Sequence, residues 1–294
     1  MSQNISTPQP SSSQKDAQGE SGKRDSRDAT GWSASLYNER ASFVYSAPFV
    51  APVLELLSAK PGERILDIGC GSGELTLLLQ STVTKDGANG SVVGMDSSES
   101  MLSKARANGV VHTFVGDAQE LVLPDGPAFQ EKFDAIFSNA TLHWCKRDPL
   151  GVLVSARRYL KLRGRIAVEM GGFMNVIGIR STLHQVVRSR GKDPEELDPW
   201  YFPSMEDYVK LLVTAGFEPT HMALVPRVTP LPSGLYEWLD LFARGTFLKD
   251  FSDEEARQIM REVEDRMRVD CRDASGKWAM MYTRLRFTAT LKDE

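Results

Sequence analysis

The stretch ILDIGCGSGELTLLL, residues 65–79, places three glycines at every second position between two apolar runs. Glycine adopts left-handed backbone conformations without a steric penalty, so Gly69, Gly71 and Gly73 predict a tight turn from a buried strand into a helix. Asp67 lies just before this turn. In an open α/β sheet such a turn lies beyond the carboxyl end of a strand, where ligands bind.

The order of the predicted elements indicates the fold class. Strands are predicted at residues 64–68, 91–95, 110–115, 133–138 and 165–170, and helices at residues 74–80, 99–107 and 149–160. This alternation predicts an α/β fold: a mostly parallel sheet with helices on both faces and right-handed crossovers.

The spacing of the glycines limits the ligand. A dinucleotide-binding loop has the pattern GxGxxG, whereas the last interval here is one residue shorter and is followed by Glu74. A carboxylate in the first helical turn, together with Asp67, would repel a pyrophosphate but would tolerate an ammonium and a sulfonium. Asp96 ends the predicted strand SVVGMD, where a carboxylate can accept both ribose hydroxyls. The loop therefore predicts a nucleoside without phosphates.

Composition narrows the partners and the compartment. The 35 basic and 39 acidic residues give a net charge of -4 without a long basic block, which disfavours nucleic acid. No apolar run approaches the roughly 18–20 residues of a membrane span, so no membrane partner is expected. The separated Cys70, Cys145 and Cys271 favour free thiols in the cytoplasm and no metal site. Residues 1–31 are polar and are expected to form a disordered tail, and nothing indicates the oligomeric state.

Five sequence blocks resemble the class I S-adenosylmethionine-dependent methyltransferases: LDIGCGSG, VVGMDSSESML, GDAQEL, FDAIFSNATLHW and LKLRGRIAVEM, in the order of that family. The resemblance extends from about residue 32 to residue 294. It implies a Rossmann-like, seven-stranded sheet with an antiparallel last strand, and S-adenosyl-L-methionine as the cofactor. The residues that it implies for cofactor binding are Tyr37, Asp67, Gly69, Gly71, Gly73, Asp96, Ser97, Met101, Asp117, Ala118, Asn139 and Ala140.

Within that family the sequence is similar to the trans-aconitate methyltransferases and related small-molecule enzymes. The segments WSASLYNERASF, NATLHW, YEWLDLFARGTFLKDFSDEEA and MMYTRLRFTATLK carry this similarity. It implies an N-terminal lid and helix at residues 32–60, helical cap insertions at about 173–203 and 231–272, and a last strand at 280–291. It also implies a small-molecule acceptor, with O-methylation of a carboxylic acid or secondary metabolite as the favoured reaction. The Arg244-Gly245 pair is shifted by one residue from the group's pattern, so the acid need not be the same.

The sequence leaves several hypotheses for the acceptor and for the residues that bind it. The candidate residues are His143, Trp144, Arg180, His184, Arg244 and Arg284. A carboxylate is already ionised at neutral pH and needs only a cationic clamp, whereas a phenol, enol or amine would need a base such as His143. His143 is equally consistent with a hydrogen-bonded position behind the pocket. The alternatives are C- or N-methylation of a quinone-like or metabolite acceptor, and a non-catalytic cofactor-binding or partner-binding protein with this fold.

Overall fold

One seven-stranded sheet organises the computed structural model, which describes residues 27, 28, 30, 31, 33–35, 37 and 47–293. The strands are β1 Arg64–Ile68, β2 Ser91–Asp96, β3 His112–Val115, β4 Phe133–Asn139, β5 Leu160–Gly171, β6 Phe217–Leu231 and β7 Trp278–Leu291. Their order across the sheet is β3-β2-β1-β4-β5-β7-β6. β7 is antiparallel to both neighbours, and the other pairs are parallel. The predicted α/β class, with an antiparallel last strand, is confirmed.

Helices cover both faces of this sheet. Their bounds are α1 Ala47–Leu57, α2 Glu74–Val83, α3 Glu99–Ala107, α4 Pro149–Tyr159, α5 Ile179–Arg188, α6 Pro194–Leu197, α7 Met205–Thr214, α8 Leu235–Phe242 and α9 Asp253–Cys271. Successive side chains of β1 point to opposite faces, as the pleat requires. Ile65 packs with residues of α1 and α2, whereas Leu66 packs with residues of α4 and α7. No helix in the described part of the chain combines the length and apolar character that a bilayer crossing needs.

The predicted strands occur, with shifted ends, and β6 was not predicted. β5 begins at Leu160, which the helical pattern had assigned to the preceding helix, and β3 begins two residues late. The β6 sequence FEPTHMALVPRVTPL contains three prolines, which argue against a central strand. β6 pairs only with β7, at the edge of the sheet, where missing N–H donors are tolerated.

A helical cap contains its own hydrophobic core. α5 and α6 lie in the predicted insertion at 173–203, and α8 and α9 lie in the one at 231–272. Apolar residues of α5, α8 and α9 form one cluster with Trp200, separate from the two clusters that cover the sheet. α9 begins with a capping box in which Ser252 and Glu255 satisfy each other's backbone N–H groups. The cap is therefore a packed unit.

The N-terminal segment contacts the domain before the predicted boundary at residue 31. Arg27 Nη2 donates to the Asp240 carbonyl oxygen on α8 at 2.7 Å. The Asp28 carboxylate accepts from the Ser98 hydroxyl and from the Ser100 N–H. Residues 1–26 of the predicted tail lie outside the described residues.

Gly73 is required by packing as well as by backbone geometry. Its φ is 89°, and a Cβ on this residue would lie 2.5 Å from Val110 Cγ2 and 3.1 Å from Ala105 Cβ. Gly73 precedes α2, and Ala105 lies on α3, so the absence of a side chain lets the loop approach the neighbouring helix.

We expect Gly73→Ala to destabilise the protein more than Gly62→Ala. Gly62 has a similar φ of 86°, but nothing lies within 4 Å of its hypothetical Cβ. Backbone strain alone costs about 1–2 kcal/mol, and overpacking adds about 1–3 kcal/mol at position 73. Urea denaturation of both variants measures the difference. Equal losses would show that packing at Gly73 is not limiting.

Candidate active site

A cavity lies between the carboxyl ends of β1, β2 and β4 and the helical cap. The predicted site residues that line it are Tyr37, Asp67, Gly69, Gly71, Asp96, Ser97, Met101, Asn139, Ala140, His143, Trp144 and Arg284. The cavity therefore brings together residues predicted for the cofactor and for the acceptor.

The glycine loop leaves room for a ligand beside two carboxylates. Gly69 has φ 75°, and a Cβ there would lie 2.0 Å from Thr141 Oγ1. The Gly71 N–H donates to Asp96 Oδ2 at 2.9 Å, and the Ser98 N–H donates to Asp96 Oδ1 at 2.9 Å. These bonds, with a further one from the Ser97 backbone N–H, fix Asp96 at the end of β2, and the carboxylate can still accept from one further donor.

Asp67 is buried, and Asp96 beside it is half-buried. Burial raises the pKa of Asp67 to about 7 despite the hydrogen bond from Thr76, and the nearby Asp96 charge raises it further. Burial also raises the pKa of Asp96. Among the described residues no lysine or arginine pairs with either acid. Two carboxyl groups without a cationic side chain beside them fit a cationic ligand, such as one with an ammonium and a sulfonium.

Two non-glycine residues of the cavity wall have left-handed backbone conformations. Ala140 has φ 57° and Val176 has φ 50°. For a branched residue such as Val176 this conformation is a genuine outlier. Hydrogen bonds from the Ala140 N–H to the Glu169 carbonyl and from the Val176 N–H to the Met281 carbonyl hold both. Such outliers are concentrated at functional sites, because the surrounding structure must over-determine them.

His143 is held as a neutral donor. Its Nδ1 accepts from the Gly171 N–H at 3.1 Å, so the neutral ring carries its proton on Nε2. Burial, and then the positive charge of Arg284, hold the pKa of His143 well below 6.5. The ring lies beside Trp144 and Phe202, at centroid distances of 5.4 and 5.8 Å. A neutral Nε2–H can donate a hydrogen bond but cannot accept a proton, so this arrangement disfavours the general-base interpretation.

Arg284 belongs to a buried cluster with an excess of positive charge. The β5–β7 register pairs Glu169 with Arg286 and Gly171 with Arg284. Glu169 accepts from Arg286 Nε and lies 3.6 Å from Arg227 Nη1 and 3.7 Å from Arg284 Nε. One carboxylate thus faces three guanidinium groups, and burial, followed by repulsion from Arg284, lowers the pKa of Arg227 to about 10.

The Arg284 guanidinium remains available to a ligand. It is only 5% exposed and lines the cavity, over the Tyr282 ring at 4.4 Å. Its Nε has no hydrogen-bond partner, and no group in the described part of the chain accepts a hydrogen bond from this side chain. Burying a charge without a full partner is costly, so a site of this kind favours an anionic ligand.

The other predicted acceptor-side cations do not line the cavity. Arg180 and His184 both contact Asp198, with N–O distances of 2.6 and 2.8 Å. Arg244 pairs with Asp253 and donates to the Leu248 carbonyl oxygen. Buried Asp198 holds Arg180 and His184, and exposed Asp253 pairs with Arg244. Contact with the acceptor stays a prediction for these three residues.

Three residues predicted for the cofactor also lie outside the cavity wall: Gly73, Asp117 and Ala118. Asp117 Oδ2 accepts from Arg147 Nη2 at 2.8 Å, and Oδ1 accepts from the Gln119 N–H. Partial burial raises the pKa of Asp117, but these hydrogen bonds and the Arg147 charge outweigh it and hold the pKa below its ordinary value. Contact with adenine at this edge stays a prediction for Asp117 and Ala118.

Much of the aromatic wall was not predicted from the sequence. Its members from the cap and β7 are Trp200, Phe202, Trp238, Phe242 and Tyr282. The signal for Trp238 and Phe242 was present, since residues four apart lie on one face of a helix. Trp200 and Phe202 lie in an irregular segment between α6 and α7, where no periodicity marks the buried positions.

We expect His143 to make the stability of the protein depend on pH. Below about pH 6.5, His143 binds a proton in the unfolded chain but not in the folded protein, where it is buried. The free energy of unfolding therefore falls as pH decreases. The contribution reaches about 1.4 kcal/mol per pH unit. His143→Asn, whose side-chain oxygen can accept from Gly171, should reduce this slope between pH 7 and pH 5 in urea denaturation. Equal slopes of the unfolding free energy against pH for the original protein and the variant would contradict this role of His143.

Comparisons with known proteins agree with this architecture. The family model Methyltransf_31, a methyltransferase domain, matches residues 59–190. An uncharacterized methyltransferase of Schizosaccharomyces pombe is 35% identical over 266 residues, which cover 88% of this chain and 97% of that protein. A putative methyltransferase of Bacillus halodurans has the same fold, with a TM-score of 0.57, 17% identity, and coverage of 83% of this chain and 99% of that one.

Two relatives with named acceptors match over shorter regions. A 2-phytyl-1,4-naphtoquinone methyltransferase of Synechococcus elongatus is 36% identical over 141 residues, covering 45% of this chain and 55% of that enzyme. A trans-aconitate 2-methyltransferase of Mycolicibacterium gilvum is 36% identical over 118 residues, covering 39% and 42%. The full-length similarity and the common fold lead to one conclusion: the chain belongs to the class I S-adenosylmethionine-dependent methyltransferases, and S-adenosylmethionine is its cofactor.

Proposed function

We propose that this enzyme methylates a carboxylate oxygen of a small-molecule acid. The observation that carries the proposal is Arg284, a buried guanidinium at the cavity wall with no hydrogen-bond partner on Nε. Its charge adds to that of Arg227 and Arg286, and among the described residues Glu169 is the acid that pairs with all three. A carboxylate bound here would gain charge-assisted hydrogen bonds without the cost of an unpaired charge.

The glycine loop and the acid pair supply the cofactor half of the site. In the proposed assignment Gly69 and Gly71 contact the methionine portion, Asp96 accepts from the ribose hydroxyls, and Met101 packs against adenine. Asp67 favours the cationic end of the cofactor through its negative charge. When bound, S-adenosylmethionine supplies a methyl group on a sulfonium, so that the acceptor oxygen forms a new C–O bond while the S–CH₃ bond breaks and its electron pair stays on sulfur.

On the acceptor side, the cavity residues would orient the acceptor and remove water from around it. A carboxylate is ionised at neutral pH, so no proton has to be removed. Arg284 would hold one acceptor oxygen, His143 Nε2–H can donate to the acceptor, and the aromatic wall excludes water. Orientation of this kind can lower the activation free energy by about 7–11 kcal/mol.

A C-methyltransferase of a quinone-type acceptor is the second candidate. The aromatic wall and the naphthoquinone-enzyme relative favour it. Such an acceptor needs activation by proton removal, and neutral His143 is a donor with a lowered pKa. The absence of a suitable base at His143 therefore supports the carboxylate over the quinol.

Arg284→Gln should raise the KM for the acid and lower kcat/KM by about 10- to 150-fold, which corresponds to losing about 1.5–3 kcal/mol of charge-assisted hydrogen bonding. Steady-state kinetics with labelled cofactor measure this once a carboxylic acid substrate is found. Affinity for S-adenosylhomocysteine, measured by calorimetry, should change little.

The matched control is Arg244→Gln, which removes the same charge from the cap outside the cavity. We expect kinetics close to those of the original enzyme. A larger loss from Arg244→Gln than from Arg284→Gln, in folded proteins, would move the acceptor site away from Arg284.

We also propose that the segment from Arg27 to Tyr37 acts as a lid. It contacts α8 through Arg27 and the start of α3 through Asp28, and the Tyr37 ring meets the Phe242 ring edge-on at 6.1 Å. One short segment therefore joins the cap to the cofactor half of the cavity. A lid in this position would exclude water from the reacting groups.

Deleting residues 1–26 keeps these contacts, whereas deleting residues 1–37 removes them. We expect the first variant to retain its activity and the second to lose at least about 10-fold in kcat/KM for the cofactor, because the cavity then opens to solvent. Methyl-transfer assays of both proteins, with circular dichroism to confirm folding, make the comparison. Equal activity would exclude a lid role for this segment.

A further inference from the structure

Aromatic rings of the cavity wall form one continuous surface. Trp200 is its centre: its ring stacks on Phe202 at 6.0 Å with an interplanar angle of 13°, and contacts Trp144 and Trp238 at 6.0 and 6.2 Å. Phe242 extends the surface from Trp238 at 5.2 Å. The Trp238 N–H is already used, since it donates to the Tyr282 hydroxyl at 2.6 Å. The surface therefore presents mainly ring faces and edges.

Cationic side chains lie both at the cavity wall and behind this surface. Among the described residues that line the cavity, Arg284 is the only lysine or arginine. Arg227 and Arg286 lie behind it, around Glu169, and do not line the cavity. The Arg180 guanidinium lies over Phe202 at 5.1 Å, but it is paired with Asp198 and is also outside the wall.

We infer that the acceptor is a monocarboxylic acid with a flat aromatic or extended apolar body. This inference rests on the proposed function and specifies its substrate class. The carboxylate pairs with Arg284, and the body packs against the surface formed by Trp144, Trp200, Phe202, Trp238 and Phe242. Aromatic surfaces of this kind contribute apolar burial and favourable offset or edge-to-face ring contacts.

The same geometry disfavours acids with several carboxylates. A second carboxylate on the acceptor would lie against ring faces, whose quadrupoles are negative, with no cation among the described wall residues to pair with it. Its desolvation would remain uncompensated. Trans-aconitate, which carries three carboxylates, fits this cavity poorly even though a relative is named for it.

The test compares matched acids with the full chain and labelled S-adenosylmethionine. Trans-cinnamate and 4-carboxycinnamate differ only in a second carboxylate, and crotonate keeps the unsaturated acid of cinnamate but replaces its ring by a methyl group. We expect kcat/KM for trans-cinnamate to exceed the values for 4-carboxycinnamate, crotonate and trans-aconitate by at least about 10-fold.

Two variants separate the aromatic surface from general effects on folding. Phe242→Leu should raise the KM for trans-cinnamate several-fold more than the KM for crotonate, because only the longer acid reaches the ring, whereas any effect through the Tyr37 contact is common to both acids. Phe173→Leu is the matched control, since Phe173 is 54% exposed and does not line the cavity. Its kinetics should equal those of the original enzyme.

The outcomes are distinguishable. Preference for trans-cinnamate supports the inference. Preference for trans-aconitate or 4-carboxycinnamate overturns it, while the proposed carboxylate methylation stands. Methylation of a quinol or amine, with none of the acids accepted by an enzyme that binds S-adenosylhomocysteine, overturns both the inference and the proposed function.

Discussion

The carboxylate of Glu169 holds together the cationic side of the cavity. Among the described residues, it is the acid that pairs with three guanidinium groups, two of them on β7 and one on β6. Buried ionic clusters of this kind contribute little net stability compared with well-packed apolar residues, because desolvation offsets the Coulomb attraction. An arginine left without full compensation is therefore better explained by ligand binding than by folding. The antiparallel register of β5 and β7 places this charge at the cavity.

The two halves of the cavity carry opposite charges. Asp67 and Asp96 lie beside the glycine loop, where burial raises the pKa of both, and Arg284 lies on the acceptor side. A cationic cofactor would lie beside the two acids, and an anionic acceptor would lie beside Arg284. Bound together they would also attract each other, and that attraction is strong where water is excluded. The chemistry then depends on alignment more than on proton transfer.

Sequence reasoning was most reliable where local chemistry and short spacing decide the structure. The strand at Arg64–Ile68 and the helix at Glu99–Ala107 occur with the predicted bounds, because an apolar run and a Ser98 N-cap are local signals. The glycine loop and Asp96 line one cavity, as expected for groups at the carboxyl ends of adjacent parallel strands. β6 escaped prediction because its prolines are tolerated only at a sheet edge, and edge position is a tertiary property.

On the acceptor side, sequence could list candidates but could not choose among them. The sequence does not distinguish among the four candidate basic residues Arg180, His184, Arg244 and Arg284. Only the folded chain pairs the first three with Asp198 or Asp253. His143 shows the same division: its protonation follows from the Gly171 N–H, twenty-eight residues away, and from burial. The sequence by itself therefore determined the fold class, the family resemblance and the glycine loop at the cavity, since these depend on periodicity and on short motifs. The tertiary structure decided which arginine lines the cavity with only partial charge compensation and which aromatic rings share that cavity. Charge compensation and burial depend on contacts between residues far apart in the chain.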